Sequence, residues 1–158
     1  MSFARTIPMA PRPHAELVQW IAERIQEPSA SWKKKSRAAQ LLPTPINLPG
    51  MDKAAAAVLA KYACMSTEWC ADVIQDFMVR WLLRPETSET IARSALAGIE
   101  RGVVRTVEDG IAWKLRMEIL SRAHRALRKE RREAECRALV CGGAEAYEWD
   151  EHEQAAAC

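Results

Sequence analysis

Apolar residues in this chain recur at three- and four-residue spacing, and nowhere do they alternate with polar ones over the length of a strand. That period puts them on one face of a helix, and a two-residue period would be needed for a half-buried sheet. Six glycines, eight prolines and few β-branched runs leave little material for strands. The fold class that follows is all-α. At 158 residues, 49% of them hydrophobic and 28% charged, the chain is long enough to bury one core without metal or disulfide help.

Prolines divide the helices. Pro8, Pro11 and Pro13 make residues 1–13 an extended arm, because proline lacks the amide donor and fixes φ. A first helix is predicted from about Pro13 to Gln26, with Leu17, Ile21 and Ile25 as its stripe, and Pro28 ends it. Ser31 can cap a second helix running to Leu42. The stretch 42–50 holds Pro43, Pro45 and Pro49 and reads as a stiff crossover. Asp52 is a candidate cap for a third helix, Lys53 to Ala63, and Ser66 or Thr67 for a fourth that stops before Pro85. The fourth has the broadest apolar face, from Trp69 to Leu82, and reads as the centre of the core.

A fifth helix is expected over 86–105, with Ile91, Leu96, Ile99 and Val103 turned inward. Gly98 and Gly102 inside it cost about 1 kcal/mol each against alanine. They suggest a flat strip for a close helix approach, or alternatively unwinding at Gly102. Thr106 to Asp109 resembles a capping box. The pattern then runs unbroken to Leu139, and Gly142-Gly143 offers a left-handed stop. The architecture expected is a single-domain helical bundle of about six helices with a long basic C-terminal helix. Its boundaries are an arm at 1–13, a helical domain at 14–141 and an acidic tail at 142–158.

Net charge is only +2, but it is segregated. Lys33, Lys34, Lys35 and Arg37 form one basic cluster, and Arg116, Arg122, Arg125, Arg128, Lys129, Arg131, Arg132 and Arg137 form another. Glu145, Glu148, Asp150, Glu151 and Glu153 meet no lysine or arginine. A basic surface beside an acidic tail can self-associate or compete with an external polyanion. Within the basic helix, Glu118 precedes Arg122 and Glu133 precedes Arg137 by four residues, an orientation that stabilises helices.

Leu59, Ala60, Ala63, Met65, Cys70 and Val73 fall in a helix-turn-helix-like register. Against DNA readout stands the would-be recognition helix, where Glu68, Asp72 and Asp76 make one acidic stripe. Such a face repels phosphates and offers no arginine to guanine edges. It suits a basic protein surface better.

Five cysteines and no leader with an apolar core point to free thiols and a cytoplasmic protein. Cys64 and Cys70 are expected to be buried, Cys141 and Cys158 exposed. No metal and no cofactor are expected, since neither cysteine pair has knuckle spacing and no glycine-rich phosphate loop is present. His14, His124 and His152 are scattered, so no catalytic residue is assigned and the chain reads as a non-enzyme. Tyr147 and Trp149 among acids make a candidate docking segment.

The function expected is a protein-binding regulator, inhibitor or adaptor that occupies the surface of a host or cognate protein. Its candidate partner-binding residues are Glu68, Asp72, Asp76, Arg125, Arg128, Arg132, Tyr147 and Trp149. An accessory protein of a phage or other mobile element fits this description. The alternative is nucleic-acid binding through Lys33, Lys34, Lys35, Arg37, Arg122, Arg125, Lys129 and Arg132. No membrane insertion is expected, and a homodimer through Leu120, Ala123 and Leu127 is compatible with either reading.

Overall fold

The computed structural model describes residues 14–27 and 46–155, with side chains described through 141. Among these, five helices and no strand are present: α1 (His14–Gln26), α2 (Met51–Lys61), α3 (Thr67–Phe77), α4 (Pro85–Glu100) and α5 (Val107–Ala155). The helix expected over 31–42 lies outside the described residues. The chain divides into two compact units, Met1–Ala123 and His124–Cys158.

The core of the first unit follows the helical stripes. Leu17, Ile21 and Ile25 of α1 are all buried, as their four-residue spacing requires. Cys70, Val73, Ile74 and Phe77 of α3 are buried too, continuing into Met78 and Leu82. Ile111, Leu115, Ile119 and Ala123 form the buried edge of α5. Ile46 and Leu48 drop into the core from the loop before α2, and Tyr62 does so from the turn after it. Phe77 stacks on the half-buried Trp81 at 5.1 Å between ring centres.

Helix ends differ instructively from the sequence reading. Asp52 is not the cap of α2: the cap is Gly50, at φ 80°, where a β-carbon would also lie 2.3 Å from Ala112 Cβ. Ser66 does cap α3, its hydroxyl accepting the Trp69 amide at 3.1 Å, and Thr106 accepts the Asp109 amide at 3.1 Å to cap α5. After Phe77 the helix widens into one π-turn, Met78–Leu82. The Trp81 carbonyl there accepts both the Arg84 amide at 3.1 Å and the hydroxyl of buried Thr87, which ties the wide turn to the start of the next helix.

The fifth element was expected to reach Arg105, but α4 ends at Glu100. Gly102 adopts φ 69°, its amide donates to Ile99 and the Val103 amide donates to Gly98. This is the Schellman arrangement that satisfies the last carbonyls of a helix. Val103 is consequently 63% exposed rather than inward, and Leu96 and Ile99 are only half-buried. Unwinding at Gly102, not a flat strip, is what that glycine serves. Gly98 faces the returning chain, since a β-carbon there would meet Val104 Cγ2 at 2.9 Å. The close helix approach exists elsewhere, at Gly110 of α5 against Ala95 of α4.

The left-handed stop expected at Gly142-Gly143 does not form. The helix passes through both glycines to Ala155, so the basic stretch and the acidic stretch belong to one helix.

Candidate interaction surface

Ser66 sets the phase of α3, and that phase turns Glu68 and Asp72 to solvent. Asp76, two turns on from Glu68, is different. Its carboxylate accepts Arg80 from its own helix and lies 3.5 Å from Nη1 of Arg122 on α5. The stripe of three carboxylates thus splits into two exposed acids and one that ties α3 to α5.

The helix-turn-helix register is overturned by burial. It needs Leu59, Ala60 and Ala63 inside, whereas Ala60 and Ala63 are exposed and Leu59 is half-buried. The buried positions are Ala54, Ala55, Val58 and Tyr62, because α2 begins at Met51 and turns that face inward. Tyr62 then meets Trp69 at 5.5 Å across the turn.

Along α5 the charged side chains reach partners that spacing alone does not name. Glu118 takes Lys114 at 2.6 Å, and Arg122 reaches across to Asp76. Glu133 takes Lys129 at 3.7 Å, and Arg137 Nε donates instead to the Glu133 backbone carbonyl at 3.2 Å. Arg125, Arg128, Lys129 and Arg132, with Glu133, border one open concavity in the second unit. From Arg128 to Cys141 every residue is exposed, including Leu139 at 77% and Val140 at 73%. Leu120 and Leu127 are half-buried and Ala123 is fully buried, so Ala123 is not available to a dimer seam.

Lys33, Lys34, Lys35 and Arg37 lie outside the described residues, as does Cys158. Tyr147 and Trp149 fall on the helical backbone of α5, where side chains are not described.

Of the cysteines expected inside, Cys70 is buried but Cys64 is exposed, because it sits in the turn between α2 and α3. Burial pushes the Cys70 thiol up from its ordinary value, and nearby Cys64 adds to the rise. Cys136 and Cys141 are exposed. Among the described residues no cluster of three or more histidine, cysteine or acidic side chains could hold a metal ion, and no helix is long and apolar enough to cross a membrane.

Several exposed apolar residues went unassigned from sequence. Trp113 and Met117 are 45% and 52% exposed, one turn apart on α5. Trp113 had signalled itself by fitting no buried stripe; Met117 had not. Leu139 and Val140 sit just before Gly142-Gly143, where an apolar pair reads equally as the end of the helix.

The chain matches no family model, no curated protein and no solved structure.

Proposed function

We propose that the chain is a non-enzymatic interaction protein, a regulator, inhibitor or adaptor that acts by occupying the surface of a partner protein. One observation carries the reading: each residue of α5 from Arg128 to Cys141 is exposed, Leu139 and Val140 among them. Most helical stability in proteins comes from packing an apolar face against something else, and exposed leucine and valine do nothing for solubility. A helix with this surface gains most when another macromolecule lies against it. Glu68 and Asp72 on α3 supply a second, acidic contact for a basic partner, with Arg125, Arg128 and Arg132 as contacts for acidic ones. Tyr147 and Trp149 are aromatic anchors in the same proposal.

A second reading, nucleic-acid binding, is favoured by the concavity that Arg125, Arg128, Lys129 and Arg132 share. Each phosphate contact there would release counterions and make binding fall with salt.

Affinity capture with the tagged full chain, run with and without nuclease, separates the two. A stoichiometric protein that survives nuclease supports the first reading. Recovery of nucleic acid alone, or of proteins that vanish with nuclease, overturns it in favour of the second.

A further inference from the structure

Reading α5 as a binding surface leaves the identity of what lies on it open, and its charge pattern supplies one. We propose that the second half of α5 pairs antiparallel with the same segment of a second copy, centred on Leu139. Arg128 of each copy would then stand opposite Asp150 of the other, and Arg125 opposite Glu153.

The register comes from helix geometry. Successive residues turn by about 100° and rise about 1.5 Å. Positions 125, 128 and 132 fall within about 40° of position 139, and so do positions 150 and 153. All the basic positions on this face precede Leu139; of the acidic ones, Glu135 precedes it and stands opposite Gly143, while those at 150 and 153 follow it at distances matching Arg128 and Arg125. Eleven residues separate Leu139 from both Arg128 and Asp150, and fourteen separate it from both Arg125 and Glu153. A two-fold axis at Leu139 therefore places opposite charges together four times over. Gly143 and Ala146 occupy the same face and let two helix backbones come close. Positions 147 and 149 flank the face on either side, opposite positions 131 and 129 of the second copy.

The chain cannot satisfy this pattern by itself while α5 stays helical. Arg128 and Asp150 are about 33 Å apart along one helix, and no hairpin interrupts it at Gly142-Gly143. A parallel pair would set arginines beside arginines. Only an antiparallel copy brings the acids to the bases, and it also covers the otherwise exposed Leu139.

The test uses the full chain and two charge-reversed variants, R125E/R128E and D150K/E153K, in sedimentation equilibrium with far-UV circular dichroism to check that helix is retained. The wild-type chain is expected to be a dimer at low salt and to dissociate as salt rises, because the pairs are exposed. Each variant alone sets like charges opposite one another, and its self-association should weaken at least about tenfold. An equimolar mixture restores every pair and should return the dimer as a one-to-one heterodimer. A wild-type chain that is monomeric at low salt overturns the pairing, as do variants that stay dimeric alone or a mixture that stays monomeric. Loss of duplex DNA binding in R125E/R128E of a monomeric chain would overturn it too, and assign the face to nucleic acid. A monomer that still captures a nuclease-resistant partner sinks the pairing and leaves the proposed function standing; a dimer that captures nothing does the reverse.

Discussion

Replacing Gly110 by alanine sets two physical effects against each other, and the structure decides the sign. By helix propensity alone, alanine at a helical glycine stabilises by about 1 kcal/mol. At Gly110, however, an added β-carbon would stand 2.8 Å from both Cα and Cβ of Ala95 and 3.2 Å from the Ala95 carbonyl oxygen. Two of these three are backbone atoms in the interior of α4, so no side chain can swing aside. The helices must separate, loosening the packing of Ala92, Ala95, Ile111 and Leu115, all fully buried. Overpacking of this kind costs about 1–3 kcal/mol. Because backbone atoms must move, the upper half of that range applies, and the net expectation is destabilisation by roughly 1–2 kcal/mol, a fall in melting temperature of about 2–8 °C. Thermal unfolding followed at 222 nm, with urea titration alongside, measures it. Gly102→Ala is the companion: nothing lies within 4 Å of a β-carbon there, and its cost of about 1 kcal/mol is set by φ 69° alone. A Gly110→Ala protein as stable as wild type, or more so, would refute the claim that this contact sets the α4–α5 spacing.

Other perturbations test other joints of the fold. Phe77→Ala should cost about 3–5 kcal/mol in urea unfolding, since the ring is fully buried and stacked on Trp81. Thr87→Val keeps shape but removes one of two donors to the Trp81 carbonyl, the Arg84 amide remaining, so about 0.5–1.5 kcal/mol should be lost and the π-turn amides should exchange faster with deuterium. Ser66→Ala should cost about 1 kcal/mol through the α3 cap, with Ser66→Asp recovering most of it in the same assay. Cys70 holds its proton more tightly when folded, because burial and then Cys64 raise its pKa; its contribution is complete below the unfolded thiol value and is lost as pH rises through the folded one. Stability should therefore decline on the alkaline side of the free thiol's titration, and Cys70→Ala should flatten that decline; a thiol reagent at neutral pH should label Cys64, Cys136 and Cys141 well before Cys70.

What the sequence made legible was local. Leu17, Ile21 and Ile25 name their own face because burial on a helix follows a fixed period, and Ser66 and Thr106 act as caps through bonds that span only three residues. The misread positions are those whose state depends on chain far away. Asp52 looked like a cap, but Ala112 of α5 presses on the chain at Gly50, which sits in a left-handed conformation and starts the helix two residues earlier. The face of α2 that packs inward is Met51, Ala54, Ala55 and Val58, so Ala60 turns to solvent, and Ala63 lies in the turn beyond the helix; the helix-turn-helix register fails on both. Spacing along α5 says nothing of Asp76 on another helix, which also reaches Arg122, or of Lys114, which meets Glu118. The π-turn at Met78–Leu82 has no sequence mark that distinguishes it from ordinary helix. For the candidate surface on α5, the charges were legible and their arrangement was not: Gly142-Gly143 suggested a stop, whereas the acidic stretch continues the same helix as the basic one.

The central claim is that α5 beyond His124 is a surface for a protein partner, and hydrogen exchange across that helix tests it most directly. The full chain, dilute and in the presence of the nuclease-resistant partner recovered by capture, would be compared amide by amide. The account predicts fast exchange from Arg128 to Cys141 in the dilute chain, since those residues are exposed, and at least about tenfold slower exchange in the complex. Unchanged exchange along that stretch, with protection confined to the first unit, would contradict it.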